Sequence, residues 1–375
     1  MKSIIEEIQK IRGGAPLLPD KKNANRYRLV TFESNGSKTA YYFSSPIYNI
    51  VSRKMVDLKF HQLKNTAYAV GSNANITVGD AIRMENSEGG CIVSLPGHLR
   101  LISESAIDYD FAQLYPTTNG LVIQGMCNKK SPYTFTIETD NPFPDILSND
   151  RFFALMSERF RPFLTVSCIG TADAEGNIIA PATITYQKNT DCKFSIFIYP
   201  ENSSEEIVLI EINLYEPKLI QDTTVESKHP STNNVYGGIG FIGSSHKYGE
   251  QWLYSRPDYS RLSELSNQSI SHAILHLPRI DKTSIALNAY KVSARFCSLG
   301  STWNTKISES FFLSHPETSD SYINLNITPI ITDADGRISI NTGFILRPTH
   351  KEGGFSIIAT GDNYKYPQIL EINYS

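Results

Sequence analysis

The sequence predicts an all-β protein: two antiparallel, jelly-roll-like β-sandwich domains behind a short N-terminal amphipathic helix. Three observations carry that expectation. The chain holds 20 Tyr and 18 Phe against 2 Trp, with 23 Gly and 19 Pro spread between them, so strand-favouring residues alternate with turn-favouring ones. Short runs of alternating apolar and polar residues recur from about residue 27 to the end. At 375 residues the chain is long enough for two or three cores, and no period of a solenoid or propeller breaks it into repeats.

Residues 3 to 12 read as a helix. Ser3 and Glu6 stand at capping-box spacing, and Ile4, Ile8 and Ile11 fall on one face with Ile5 beside them. Gly13-Gly14 and Pro16 end it. So short a helix does not persist alone in water, so its isoleucine face docks either on its own sandwich or on a neighbouring subunit. The polar stretch Asp20-Lys21-Lys22-Asn23-Ala24-Asn25 reads as a linker. Asn35-Gly36 between Arg28–Phe32 and Lys38–Phe43 is a hairpin signal.

Further strands are expected at Met55–Phe60, Ala67–Val70, Cys91–Leu95, Leu121–Ile123, Tyr133–Ile137, Pro162–Val166, Ala182–Tyr186 and Lys193–Ile198, with one helix near Ile146 to Phe160. The boundary falls near Glu216-Pro217-Lys218. That gives a helix and linker over 1–26, a scaffold sandwich over 27–217 and a second sandwich over 218–375.

Composition excludes several functions. Thirty-five Lys and Arg against 38 Asp and Glu leave a formal charge of −3, without the basic footprint that nucleic-acid binding needs. No apolar run is long enough for a membrane-spanning helix. The start, Met1-Lys2-Ser3-Ile4-Ile5-Glu6-Glu7-Ile8, carries acids where a secretory leader needs an apolar stretch. The five cysteines, Cys91, Cys127, Cys168, Cys192 and Cys297, form no C-x-x-C pair and read as small core residues. There is no G-x-S-x-G elbow, P-loop or dinucleotide fingerprint, so no enzyme is expected. Paired carboxylates from distant positions would leave no local spacing to read.

The order of landmarks after residue 220 resembles a known family. It runs Asp222-Thr223-Thr224-Val225, Asn234-Val235-Tyr236-Gly237, Gly243, Trp252-Leu253-Tyr254-Ser255-Arg256 and Ile270–Leu275. It continues through Trp303-Asn304, Leu325-Asn326-Ile327-Thr328, Asn341–Leu346 and Pro367–Tyr374. That order resembles the DNRLRE domain, a β-sandwich module of bacterial surface and secreted proteins similar to polysaccharide-binding modules. Less sharply, Tyr42–Ile47, the turn Asp173–Asn177 and the exit Ile212–Pro217 resemble the β-rich domain preceding such modules in wall-associated and RHS-type proteins. The resemblance implies a non-catalytic protein, outside the cell or at its surface. Without a visible leader the export route stays open.

Candidate sites follow. Trp252, Tyr254 and Arg256 alternate along one strand and share a face, with Tyr248 and Tyr259 flanking it. Such a face either stacks on a sugar ring and meets a uronate carboxylate, or is core with its polar tips hydrogen-bonded. Asp333-Ala334-Asp335-Gly336 has calcium-loop spacing, echoed by Asp173-Ala174-Glu175-Gly176. Both read first as β-turns, since calcium needs six to eight oxygens, and no cofactor is otherwise expected. His272 and His276 would lie about 13 Å apart on the exposed face of a strand, too far to share a zinc, while Ala273, Leu275 and Leu277 face the core. Two functions compete: a polysaccharide-binding or adhesion module, and a structural subunit of an extracellular assembly, filament or phage-tail-like particle. The second would bind copies of itself through Ile4, Ile8 and Ile11.

Overall fold

The computed structural model of the chain describes residues 4–48, 56, 58–71, 73–127, 131–158, 161–173, 178–201, 207–216, 218–281, 283, 285–339, 342–350 and 354–375. The capping Ser3, Met55 and Asp57 of the expected Met55–Phe60 strand, most of the Asp173–Asn177 turn, Pro217 and Asn341 fall outside them, and Val56 and Leu58–Phe60, which are described, lie outside any strand. The fold is all-β: among the described residues four antiparallel sheets form two compact units, with a short helix at the N-terminus.

One unit comprises Asn49–Pro217 and Tyr236–Gly238. Its eight-stranded sheet runs from Ala182–Lys188 through Lys193–Pro200, Tyr133–Thr139, Gly89–Ser94, Ile82–Asn86, Asn75–Val78 and Thr66–Val70 to His61–Leu63. A nine-stranded sheet, built around Arg161–Ala172, Ile207–Leu214 and Gly120–Met126, faces it. Period-2 patterning produces the core. Tyr133, Phe135 and Ile137 point inward with Val93, Phe194 and Ile196, against Leu121, Ile123, Val166, Ile210 and Ile212 of the other sheet. Cys91, Cys127 and Cys168 lie in this core, whereas Cys192 is half-buried and Cys297, in the other unit, is exposed; all five are free thiols. Burial pushes the Cys91 thiol up to about 12.

The helix expected near Ile146 to Phe160 is instead a hairpin, Asp145–Ser148 with Phe152–Glu158. Asn149 turns the chain, its Oδ1 accepting the backbone N–H groups of Arg151 and Phe152 at 2.8 and 3.2 Å. Phe152 and Phe153 are both buried, and a run buried on both sides has no strand period to betray it.

The other unit comprises Met1–Tyr48, Lys218–Val235 and Ile239–Ser375. Its six-stranded sheet orders Arg28–Phe32, Lys38–Phe43, Ile369–Tyr374, Ile270–Pro278, Tyr322–Asn326 and Glu317–Thr318. The seven-stranded sheet orders Glu309–Ser314, Leu287–Val292, Phe344–Pro348, Gly249–Pro257, Ile239–Ser245 and Phe355–Ala359, with Ile220–Glu226 also pairing with Gly249–Pro257. Leu253, Leu275, Leu277, Leu346, Leu370 and Ile372 form the core of this unit.

The hairpin around Asn35-Gly36 therefore corrects the expected division of the chain. It forms, with Gly36 at φ 87°, but Lys38–Phe43 pairs with the last strand, Tyr41 opposite Glu371 and Phe43 opposite Ile369. The strand has two apolar faces. Val30, Ala40 and Tyr42 enter the sandwich core, while Leu29, Tyr41 and Phe43 form a second cluster outside the sheet. A strand apolar on both faces needs cover on both.

The N-terminal helix, Ile4–Ile11, supplies that cover. Ile8 is fully buried against Leu29, Tyr41, Phe43, Ile47 and Ile369, with Ile4, Ile5 and Ile11 packed around it. Arg12 holds its end down, donating through both guanidinium Nη atoms to Glu33 at 2.7 and 3.0 Å and to the Tyr41 hydroxyl at 3.1 Å. The isoleucines proposed for docking onto a neighbour are thus occupied by the protein's own sheet.

Candidate functional site

The strand Gly249–Pro257 lies inside the seven-stranded sheet, between Ile239–Ser245 and Phe344–Pro348. Leu253 points to the core, and Trp252 and Tyr254 to the other face, as the alternation requires. Most of the expected platform is nonetheless not open. Tyr254 is buried beneath Phe296, its hydroxyl donating to the Ile307 carbonyl at 2.8 Å, and burial raises its pKa. Arg256 is buried and donates to Gln221 Oε1 at 2.8 Å; burial, then Arg295, lowers its pKa. Tyr248 is buried between His229 and Phe241. Tyr259 is half-buried and donates to the Ile338 carbonyl at 2.7 Å. Tyr254 is covered by a segment some forty residues downstream: Phe296, Trp303 and Ile307 join it, Val292 and Ile345 in a small outer cluster.

Trp252 remains at the margin of that cluster, where the structure gathers other residues round it. Trp252 and Trp303, the two tryptophans of the chain, meet at 5.0 Å between ring centres, tilted by 54°. The Lys306 ammonium lies 3.6 Å from the centre of the Trp303 ring and 5.3 Å from that of Trp252. The Arg347 guanidinium lies 5.3 Å from Trp252 and 4.3 Å from Tyr290. Tyr290 meets Phe312 edge to face at 5.6 Å, and Phe311 and Phe312 are 48% and 47% exposed.

Acids balance the cations. Glu250 Oε1 accepts the Trp252 indole N–H at 2.9 Å, and Glu309 pairs with Arg347 at 3.1 Å. The sheet register brings four strands together here, with Tyr254, Ile345, Tyr290 and Phe312 in one row. Each cation–π contact contributes about 0.5–1 kcal/mol at such exposure. The result is a half-exposed aromatic patch with donors and acceptors of both signs at its rim. Tyr290, Lys306, Phe312 and Arg347 escaped the sequence reading because no local spacing links them to Trp252. The Trp303-Asn304 landmark was the available signal.

On the outer face of the six-stranded sheet lies a concavity of about 510 Å³ lined by Arg12, Glu33, Tyr41, His272, Glu371 and Asn373 among others. His276 contacts Asn324 Oδ1 through Nδ1 at 2.9 Å and Glu371 Oε2 through Nε2 at 3.1 Å. His272 Nε2 stands 3.5 Å from Glu371 Oε1. Burial alone would raise the Glu371 pKa, but hydrogen bonds from His276 and His272 hold it below the usual value. Ala273, Leu275 and Leu277 face the core as expected. The expectation that both histidines are exposed holds for His272 only in part. His276 is buried, with the Tyr322 ring 6.0 Å away and Tyr322 in turn hydrogen-bonded to Glu7 of the helix.

Asp333 and Asp335 are exposed in a turn closed by Gly336 at φ 74°. Asp333 Oδ1 accepts the backbone N–H groups of Asp335 and Arg337 at 3.0 and 2.9 Å. Asn326 Oδ1 likewise serves its own backbone, accepting from Thr328 N and Oγ1 at 3.0 and 2.7 Å. Among the described residues no three His, Cys, Asp or Glu side chains gather as a metal site would require, and no helix is long and apolar enough to cross a membrane. Compared with models of known families the chain matches none, and no curated protein matches it.

Proposed function

We propose that the protein is a non-catalytic polysaccharide-binding module of the DNRLRE kind, acting in adhesion outside the cell or at its surface. The observation that carries this reading is the pairing of Trp252 with Trp303 at a half-exposed patch rimmed by Lys306, Arg347, Glu250 and Glu309. Aromatic edges and faces offer apolar contact to sugar C–H groups, and the rim supplies donors and acceptors for hydroxyls. The order of motifs after residue 220 points the same way. Affinity electrophoresis through a panel of polysaccharides tests the proposal. At least one gel should retard the protein, and Trp252→Ala with Trp303→Ala should abolish the retardation while the chain stays folded. Retardation that survives both substitutions would place the ligand elsewhere.

A structural subunit is the second reading, and one observation favours it. His61–Leu63 ends its eight-stranded sheet, among the described residues, as an exposed strand with Leu63 62% exposed and Tyr68 and Val70 beside it. An open apolar edge is a template for another copy. Under this reading light scattering gives a mass that grows with concentration and falls on Leu63→Lys. A monomer at every concentration removes it.

A further inference from the structure

The C-terminal sandwich seals an amine and two carboxyl groups together in its interior. Lys218 stands just before the strand Ile220–Glu226, Asp222 lies on that strand, and Asp362 lies in the turn after Phe355–Ala359. All three residues are buried. Lys218 Nζ donates to Asp362 Oδ2 and, at 2.7 Å, to the Val235 carbonyl. Asp222 Oδ2 accepts the Gly361 N–H and Gln368 Nε2, both at 2.8 Å, and Gln368 is fixed in turn by donating to the Ala359 carbonyl at 2.9 Å. Asp222 Oδ1, equally buried, has no hydrogen-bond partner. Gly361 lets the turn press this close, since a Cβ there would stand 2.5 Å from the Ile220 carbonyl oxygen.

Two carboxylates against one ammonium would leave an excess negative charge out of water, where even a balanced pair barely recovers its desolvation cost. Burial pushes the Asp362 carboxyl up to about 7, opposed by Lys218 and helped by Asp222. It raises Asp222 as well, again against Lys218.

We propose that Lys218 and Asp362 are joined in the folded protein by an isopeptide bond formed with loss of water, Asp222 acting as the proton carrier. The ion pair first moves a proton from Nζ to the Asp362 carboxyl, giving a neutral amine and a neutral acid. A buried amine is the nucleophilic form of lysine. Its lone pair attacks Asp362 Cγ, forming the C–N bond and a tetrahedral centre. Asp222, as carboxylate, takes a proton from the nitrogen on its open Oδ1. It then returns that proton to the departing hydroxyl, the C–O bond breaks and water leaves. Amine plus carboxylic acid becomes amide plus water, with no oxidant, reductant or further reactant. The amide itself carries no charge, so an ammonium and a carboxylate no longer have to be held out of water, and Asp222 is left as the single buried acid. The bond would span 144 positions of sequence, tying the entry of the module to its last turn as a long-loop disulfide would.

Intact-mass measurement of the full chain after denaturation tests this directly. The expected mass is one water below that of the sequence, and a tryptic digest should yield a branched peptide containing both Lys218 and Asp362. Asp222→Asn, checked for folding by near-ultraviolet circular dichroism, should keep the full mass. Lys218→Arg should do so too and melt at lower temperature. A folded wild-type chain at full mass would overturn the proposal, as would a lost water that maps to a linear peptide. An Asp222→Asn chain that loses water as completely as wild type would overturn the role of Asp222.

Discussion

The two sheets of the C-terminal sandwich bury similar leucine- and isoleucine-rich inner faces and finish their outer faces differently. The six-stranded sheet carries Leu29, Tyr41, Phe43 and Ile369 on its outside and is closed by the N-terminal helix through Ile8. The seven-stranded sheet carries Trp252, Tyr254, Tyr290 and Ile345 on its outside, and the segment bearing Phe296, Trp303 and Ile307 closes only part of it. The first face is covered by apolar packing under the helix and by an Arg12–Glu33 clamp, with a polar concavity holding His272 and Glu371 beside them. On the second, indole, phenol, cations and acids remain at the surface. A strand's alternation states which residues share a face. What covers that face comes from a distant segment, and the cover decides between core and site.

The largest effect is expected at the helix. Ile8→Asp puts a carboxylate into a closed apolar cluster and should cost about 4 kcal/mol, read as a lower urea midpoint with native mass unchanged. A change in native mass without loss of stability would return that face to a partner. On the other sheet, Trp303→Ala removes the contacts of Trp252 and Lys306 at a half-exposed position. It should cost about 1–2 kcal/mol of stability while weakening polysaccharide retention at least about tenfold. A stability loss alone would reduce the patch to packing.

Arg12→Ala should cost about 1–2 kcal/mol by breaking the paired bonds to Glu33 and the bond to Tyr41, and leave retention untouched. The smallest effect concerns Glu371. Its folded pKa lies below the ordinary 4.5, because bonds from His276 and His272 outweigh burial. The stability it contributes is therefore complete above that ordinary value and is lost as pH falls through the lower, folded one. Glu371→Gln should flatten that acid limb, below the ordinary carboxylate value, in urea titrations at each pH. An unchanged acid limb would show that the histidine contacts do not stabilise the carboxylate.

Local structure was legible where the signal is local. The spacing of Ile4, Ile8 and Ile11 with Gly13-Gly14 behind them identified the helix, whose stop is made by two glycines at φ 61° and 83°. Asn35-Gly36 identified a hairpin. What each element packs against was not legible. The hairpin's sheet is set by pairing with Ile369–Tyr374, more than 320 residues away, and the helix's partner by that same pairing. The site divides in the same manner. Trp252 was found from its strand, but the strand alone left its face open between sugar platform and core; Tyr254 and Arg256 prove to be buried with their polar tips hydrogen-bonded, and the cover over Tyr254 comes from Phe296 onward. Lys218, Asp222 and Asp362 share no spacing at all; only the closing of the sandwich brings them together.

If the outer face bearing Trp252 and Trp303 is the one that meets ligand, its fluorescence must respond to binding. Both tryptophans of the chain lie in that patch, so intrinsic tryptophan emission reports on it and on nothing else. Titration with a polysaccharide that retards the protein in gels should give a saturable shift in emission at the concentrations that cause retardation. Retardation with the emission unchanged would mean that the sugar is held by another surface.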